Sequence, residues 1–174
     1  MLTYDFIVIG SGIAGLSYTA KIAQHFQDIN QPVKIAVITK TIAEETNTKY
    51  AQGGIAVVSD TATDSFEKHI EDTLIAGDGL CNEAIVRNVV EEGPARVDEI
   101  IEWGARFDKD DQGIFKKGKE GGHSAHLILH HKDVTGQEME RALLQAVESF
   151  SNIQLIKQLA DELDIEIKTH LAKH

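Results

Sequence analysis

The sequence predicts an α/β fold built on a parallel sheet, and three observations near its start support this prediction. Residues 4–9 and 33–38 are apolar runs typical of strands, and residues 13–28 between them show helical periodicity. The second run is apolar at most positions, as a strand buried on both faces requires. Strand, helix and strand in such close succession form a βαβ unit, whose crossover makes the two strands parallel.

The stretch after this unit predicts a loop followed by a second helix. Residues 41–62 are rich in glycine and threonine without a clear period, apart from a short apolar piece at 55–58. Asp64 and Glu67 resemble a capping box, in which an acceptor side chain and a glutamate three positions later satisfy free N–H groups. We therefore expect a helix to begin there.

A longer helical stretch covers residues 83–103. We expect Gly93-Pro94 to interrupt this stretch, because proline suits the first turn of a new helix better than the middle of an old one. Residues 153–167 are predicted to form one or two further strands, and the second of them alternates apolar and acidic residues.

Another capping box is predicted at Thr135 and Glu138, opening a helix that runs to about residue 150. Its buried stripe consists of residues at helical spacing, namely Met139, Leu143, Val147 and Phe150.

The composition of the 174 residues argues against several classes of function. No apolar run is long enough for a bilayer span or a signal peptide. The net charge is −11 and the 17 basic residues are scattered, which argues against nucleic-acid and anionic-membrane partners. Cys81 is the single cysteine, so no internal disulfide can form and we expect a reducing, cytoplasmic location.

The turn after the first strand carries the pattern G-x-G-x-x-G as Gly10-Ser11-Gly12-Ile13-Ala14-Gly15. A strand before it and an amphipathic helix after it make this a phosphate-binding turn of a Rossmann-like domain. Gly10 permits the tight turn, Gly12 admits a pyrophosphate, and Gly15 lets the helix pack on the strand. The helix N-terminus attracts the phosphates, so the turn predicts dinucleotide binding.

The end of the second strand does not select the dinucleotide. NAD-binding domains place an acidic residue there to accept from the adenosine ribose, whereas this strand ends in Thr39-Lys40 and the next acid is Glu44. Thr39 could hydrogen-bond a ribose hydroxyl, and Lys40 could either lie near a phosphate or be a solvated strand end. The pattern weakens the NAD interpretation and leaves the alternatives open.

Several motifs follow the glycine turn and Thr39-Lys40 in a fixed order. They are Thr46 to Ala56 (TNTKYAQGGIA), Asp72 to Gly77 (DTLIAG) after His69, Trp103 to Asp108 (WGARFD) and Glu120 to Ser124 (EGGHS). Together these motifs resemble one flavoprotein family, that of succinate dehydrogenase, fumarate reductase and L-aspartate oxidase. The likeness runs from about residue 5 to residue 163. Within the family, the YAQGGIA form is most similar to the L-aspartate oxidases.

The resemblance implies FAD as the cofactor. The succinate and fumarate enzymes attach their flavin covalently to a histidine, and Asn47 stands at that position here, so the resemblance implies non-covalent FAD. Gly53 and Gly54 would let the loop pass close to the isoalloxazine ring. The implied cofactor-binding residues are Gly10, Ser11, Gly12, Ile13, Ala14, Gly15, Thr39, Lys40, Asn47, Thr48, Lys49, Tyr50, Ala51, Gln52, Gly53 and Gly54.

The resemblance also implies a reaction, the oxidation of L-aspartate to iminoaspartate. Oxygen or fumarate would reoxidise the flavin, and quinolinate synthase would consume the product on the path to NAD. Glu120 would orient the substrate through its ammonium group, and His123 and Ser124 could donate to a substrate carboxylate or to the flavin. His126, His130 and His131 lie nearby without an accompanying ligand pattern, so no metal site is predicted.

Members of the resembling family are much longer than this chain. Residues 1–163 correspond to the N-terminal part of their FAD-binding domain, and 164–174 to a divergent tail. The capping domain and the C-terminal helical domain have no counterpart here, so we expect a fragment that is inactive alone. The alternatives are an inactive flavin-binding remnant, a split subunit with a complementing chain, and a fumarate reductase or succinate dehydrogenase-like flavoprotein.

Overall fold

The computed structural model describes residues 2–60, 64–119 and 121–157. The four helices of this part are α1 (Ile13–Asp28), α2 (Phe66–Ala76), α3 (Glu83–Glu102) and α4 (Thr135–Glu148). The six strands are β1 (Phe6–Ile9), β2 (Ile35–Thr39), β3 (Ile55–Ala56), β4 (Lys117–Gly118), β5 (Ile128–Leu129) and β6 (Ile153–Lys157).

A parallel sheet in the order β1-β2-β6 confirms the predicted fold class. All five residues of β2 are buried, in agreement with its nearly continuous apolar sequence. Both flanking strands pair with β2 in parallel register, with Val8 opposite Val37 and Leu155 opposite the same residue. Strands β1 and β2 begin two residues later than predicted. The strand predicted at 163–167 lies outside the described residues.

Helices α1 and α4 pack against each other and cover the parallel sheet. Leu16 and Ala20 of α1 are fully buried against Leu143 and Val147 of α4. A second cluster fills the space between α1 and the sheet, from Ala23, Val8, Val33, Ile35 and Val37. Helix α1 has the predicted bounds, and α4 ends two residues early, because the chain turns at Ser149 toward β6.

A small antiparallel sheet in the order β3-β5-β4 was not predicted. Each of its strands has only two residues, too few to produce a period in the sequence. Leu129 of this sheet packs with Val97 and Ile100 of α3, Phe107 and Met139 in a further core cluster. The sheet thereby fixes both ends of the segment between β4 and β5, which carries the predicted substrate residues.

The predicted interruption at Gly93-Pro94 is wrong, because α3 is one continuous helix with Pro94 inside it. Gly93 lacks the Cβ that would clash with the proline ring. Val90 and Val97 on either side are buried, so packing holds the helix across the missing hydrogen bond. Within the described part of the chain, no helix is both long and apolar enough to cross a membrane.

Both predicted capping boxes are wrong. Ser65 caps α2, since its hydroxyl accepts from the Lys68 N–H, and Asp64 instead accepts from the Ser65 N–H. Thr135 is the first residue of α4, and Val134 precedes it without a side-chain cap. The side chains of Thr135 and Glu138 form hydrogen bonds to distant segments, which sequence spacing alone does not reveal.

Candidate functional site

The ends of β1 and β2 open into a cavity of about 690 Å³. This is the carboxyl end of a parallel sheet, where α/β domains bind their ligands. Three predicted segments meet there: the glycine turn, the Thr39-Lys40 strand end and the loop over 45–50. The lining residues among the predicted cofactor-binding set are Gly10, Ser11, Gly12, Thr39, Lys40, Asn47, Thr48 and Tyr50.

The glycine turn has the backbone geometry that the motif requires. Gly10 has φ +103°, a conformation that side-chain-bearing residues rarely adopt. A Cβ on Gly15 would lie 2.0 Å from the Gly10 carbonyl oxygen, so α1 can approach the turn only with glycine there. Helix α1 begins without a side-chain cap at Gly12 and without an acid in its first turn. Its N-terminal dipole is therefore not neutralised by an acidic side chain in that turn.

Hydroxyl groups around the turn join it to neighbouring segments. The Ile13 N–H donates to Thr48 Oγ1 at 3.0 Å, which brings the 45–50 loop against the start of α1. The Ser11 hydroxyl lies 2.8 Å from the Ala43 carbonyl oxygen and 3.2 Å from Thr39 Oγ1. Ser11 and Thr39 are buried, so they fix the cavity wall, whereas Lys40 is exposed at its rim.

Lys49 and Tyr50 form a surface cluster with Glu45. Lys49 Nζ lies 3.3 Å from Glu45 Oε2, and the Tyr50 hydroxyl donates to Glu45 Oε1. Hydrogen bonds from Tyr50 and then Lys49 lower the pKa of Glu45, and the same carboxylate raises the pKa values of Lys49 and Tyr50. Asn47 is exposed within the same loop and lines the cavity.

The second half of this loop is held by the N-terminus of α4. The Thr135 hydroxyl donates to the Gly53 carbonyl oxygen at 2.6 Å, and the Gly136 N–H donates to that of Ala51 at 3.0 Å. A Cβ on Gly136 would lie 2.0 Å from the Thr48 carbonyl oxygen. The sequence analysis did not single out Gly136. Its one indication in the sequence was the position of a glycine in the first turn of a predicted helix.

Packing within the fold explains why residue 54 is a glycine, without reference to a ligand. A Cβ there would lie 2.3 Å from the Leu129 carbonyl oxygen, so β5 requires the glycine. Gly53 has φ +69° and lines a second cavity of about 600 Å³. Gln52, Lys119 and His130 also line this cavity. The 45–53 loop therefore contributes residues both to this cavity and to the one at the carboxyl end of the parallel sheet.

The predicted substrate residues occupy the segment between β4 and β5. Glu120 lies outside the described residues, and its predicted role stays a sequence-based prediction. His123 is partly buried and Ser124 is exposed. Both lie against α2, where the His123 ring contacts His69 and the Ser124 N–H donates to Asp72 Oδ2 at 2.6 Å.

Asp108 organises the histidines that follow β5. His130 Nδ1 lies 3.2 Å from Asp108 Oδ2, which also accepts from the Lys132 N–H at 2.9 Å. That N–H, followed by the two neighbouring histidines His130 and His131, lowers the pKa of Asp108 against the opposing effect of burial. Among the described residues, no group of three or more histidine, cysteine or acidic side chains could hold a metal ion.

Glu140 is a buried acid next to the 45–50 loop, and the sequence analysis did not single it out. It is 2% exposed on α4, and neither carboxyl oxygen has a hydrogen-bond partner among the described residues. Burial raises its pKa to about 7, and the nearby Thr46 hydroxyl offsets part of that rise. Glu140 also lines a cavity of about 530 Å³ with Lys49 and Arg141.

The arrangement fits a flavin dinucleotide. The N-terminus of α1, which has no acid in its first turn, the cavity lined by Gly10 and Gly12, and the exposed Lys40 at the rim suit a pyrophosphate. An acidic ribose partner is missing from the end of β2, where the buried Thr39 stands instead. The loop over 45–50 closes one side of the cavity, and would lie along the remainder of the dinucleotide.

Comparisons with known proteins agree with this geometry. Residues 5–168 match the family model described as an FAD binding domain. The chain is 47% identical to the chloroplastic L-aspartate oxidase of Oryza sativa subsp. japonica, covering 87% of this chain and 22% of that protein. It is 40% identical to the L-aspartate oxidase of Pseudomonas aeruginosa, covering 89% of this chain and 29% of that protein.

Solved structures give the same result for the fold. E. coli quinol fumarate reductase has a TM-score of 0.77 at 32% identity, over 88% of this chain and 26% of that chain. The Mycobacterium smegmatis Sdh1 complex in its apo form has a TM-score of 0.76 at 30% identity, over 88% and 27% of the two chains. The chain spans about a quarter of the length of the relatives it matches, and it belongs to the FAD-binding domain family that includes the L-aspartate oxidase and fumarate reductase flavoproteins.

Proposed function

We propose that this chain is the N-terminal flavin-binding portion of an L-aspartate oxidase, which oxidises L-aspartate to iminoaspartate with oxygen or fumarate as electron acceptor. The observation that carries the proposal is the 40–47% identity to L-aspartate oxidases from a bacterium and plants over most of the chain. Because the chain spans about a quarter of those proteins, the activity is proposed for an assembly that contains their remaining parts.

The residues of this chain would bind and orient, and bound FAD would supply the two-electron chemistry. The N-terminus of α1 and Lys40 would stabilise the pyrophosphate, and the loop over 45–53 would keep one side of the dinucleotide from water. His123 and Ser124 would donate to a substrate carboxylate, since a dicarboxylate needs donors when it leaves water. From the sequence alone, Glu120 is proposed to accept from the substrate ammonium group.

Non-covalent attachment of the flavin belongs to the same proposal. Asn47 lines the cavity at the position where the sequence likeness places the covalent histidine of the succinate and fumarate enzymes. An amide cannot form that bond. A succinate dehydrogenase or fumarate reductase-like function is the second candidate, favoured by the structural likeness to E. coli quinol fumarate reductase.

One pair of assays separates these candidates. L-Aspartate is added to the FAD-loaded chain, alone and with a complementing chain that supplies the remaining parts, and peroxide is measured. We expect peroxide only from the complemented protein, and an inactive remnant would give none in either case. The flavin should stay in solution when the polypeptide is precipitated with acid. Flavin that precipitates with the polypeptide would instead favour the succinate and fumarate enzymes.

The finer details of partners and location are proposals as well. Quinolinate synthase would consume the unstable iminoaspartate, and the free Cys81 is consistent with a reducing, cytoplasmic location. The plant relatives are named as chloroplastic proteins. Release of iminoaspartate in the presence and absence of a purified quinolinate synthase would test the first of these proposals.

A further inference from the structure

Ser124 is held from both sides by charged groups. Its N–H donates to Asp72 Oδ2 at 2.6 Å, and its carbonyl oxygen accepts from Lys119 Nζ at 3.2 Å. Hydrogen bonds to ionised groups are about twice as strong as neutral ones. Asp72 lies on α2, 52 residues away in sequence, so the first bond ties the 121–124 segment to a separate helix.

His123, the neighbour of Ser124, packs on the same helix. Its ring meets that of His69 edge to face, with centroids 5.7 Å apart and an interplanar angle of 66°. His69 is 7% exposed. The Nδ1 atoms of both rings are buried, and neither has a hydrogen-bond partner in the described part of the chain. The contact between the two rings is therefore one of packing, and it orients His123 without using its Nδ1 atom.

Electrostatic interactions in this cluster set the charge states of His69 and Asp72 on α2. Burial and then the neighbouring His123 lower the pKa of His69, which favours a neutral ring, while Asp64 and Asp72 partly oppose this. The Ser124 N–H lowers the pKa of Asp72 most strongly and burial opposes it, while the Ser124 side chain, His123 and His69 lower the pKa further. A neutral His69 beside an ionised Asp72 is thus the stable combination near neutral pH.

We propose that His69 and Asp72 are positioning residues, through which α2 sets the orientation of His123 and Ser124. Asp72 fixes the backbone of the segment at Ser124, and His69 limits the rotation of the His123 ring. That this orientation serves the binding of a substrate carboxylate rests on the proposed function. The positioning itself is a property of the 174-residue chain.

Hydrogen exchange at the Ser124 amide tests the contribution of Asp72. In the Asp72→Ala variant we expect exchange at that amide to accelerate about tenfold or more, since a charge-assisted bond is lost. Asp72→Asn keeps an acceptor oxygen and should restore part of the protection. The control is Glu71→Ala, which removes an exposed acid from the same helix and should leave the rate unchanged.

The result that overturns this part is an unchanged Ser124 exchange rate in Asp72→Ala with global unfolding also unchanged. If Asp72→Ala fails to fold, the Asp72→Asn variant decides the question. Its Ser124 amide should then exchange faster than in the parent chain but remain protected, and parental exchange would overturn the proposal.

The histidine contact is tested by NMR titration of the imidazole rings. In the His123→Gln variant we expect the pKa of His69 to rise toward its ordinary value, because the neighbouring ring that lowers it is gone. An unchanged His69 titration would overturn the contact. Neither measurement involves aspartate oxidation, so absence of peroxide would contradict the proposed function and leave the positioning proposal standing.

Discussion

The glycine turn and the 121–124 segment hold their proposed binding groups in place by opposite means. The turn uses backbone geometry over six consecutive residues, and Gly15 lets α1 pack within van der Waals distance of Gly10. The 121–124 segment uses side chains of a distant helix, since Asp72 and His69 hold its backbone and its histidine ring. The comparison indicates that the first site is encoded locally and the second only by the completed fold.

The largest expected effect tests the glycine turn, the locally encoded site of the two. In Gly15→Ala the new Cβ would lie 2.0 Å from the Gly10 carbonyl oxygen, so helix and strand must separate. We expect a loss of about 3 kcal/mol or more in the free energy of unfolding, measured by urea denaturation. Gly121→Ala is the matched control, because a Cβ there meets no atom within 4 Å. Equal stability of the two variants would contradict the close-packing argument.

The next effect concerns Glu140, which is buried on α4 next to the 45–50 loop. Its pKa is raised to about 7, so the unfolded chain releases the proton first as the pH rises from 4.5. The contribution of Glu140 to the free energy of unfolding is therefore fully present below pH 4.5. This contribution is lost as the pH rises through 7. The loss amounts to roughly 3 kcal/mol, from the size of the pKa difference.

Glu140→Gln should remove this pH dependence. Urea denaturation at pH 5 and pH 8 should show a smaller decrease in the free energy of unfolding for the variant than for the parent chain. Glu148→Gln, which replaces an exposed acid at the end of the same helix, should behave like the parent. If the free energy of unfolding changed equally with pH in Glu140→Gln and the parent chain, the raised pKa of the buried Glu140 carboxyl would be contradicted.

The smallest expected effect concerns the hydrogen bonds that join the start of α4 to the 45–53 loop. Thr135→Val keeps the shape of the side chain but removes the bond to the Gly53 carbonyl oxygen and the acceptor for the His131 N–H. We expect a loss of about 1–2 kcal/mol, with faster hydrogen exchange confined to the loop and the start of α4. Thr3→Val at an exposed site is the control, and a global increase in exchange would contradict a local role.

The sequence predicted the parallel sheet and the glycine turn because both depend on local signals. Apolar runs define β1 and β2, and the glycine spacing defines the turn between β1 and α1. The antiparallel sheet was missed because each of its strands has two residues. Pro94 misled the helix prediction, since the packing of Val90 and Val97 outweighs the local cost of proline.

The same distinction applies to the candidate site. Asn47 and Thr48 were found from a motif, whereas Gly136 and Thr135 act through carbonyl groups of a loop about 80 residues earlier. Asp72 and His69 stood within or beside a quoted motif, yet nothing in their spacing indicated that they would meet His123 and Ser124. Long-range contacts between side chain and backbone leave no period in a sequence.

Titration of the purified chain with FAD tests the central claim most directly. Flavin fluorescence should be quenched at one equivalent of the parent chain, and the flavin should be released by acid. Gly12→Val places a side chain at the start of α1, where its Cβ would lie 3.3 Å from Thr48 Oγ1. We therefore expect affinity for FAD to fall about tenfold or more, together with some loss in the free energy of unfolding. No binding by the parent chain, or equal affinity in a folded Gly12→Val variant, would contradict the flavin site described here.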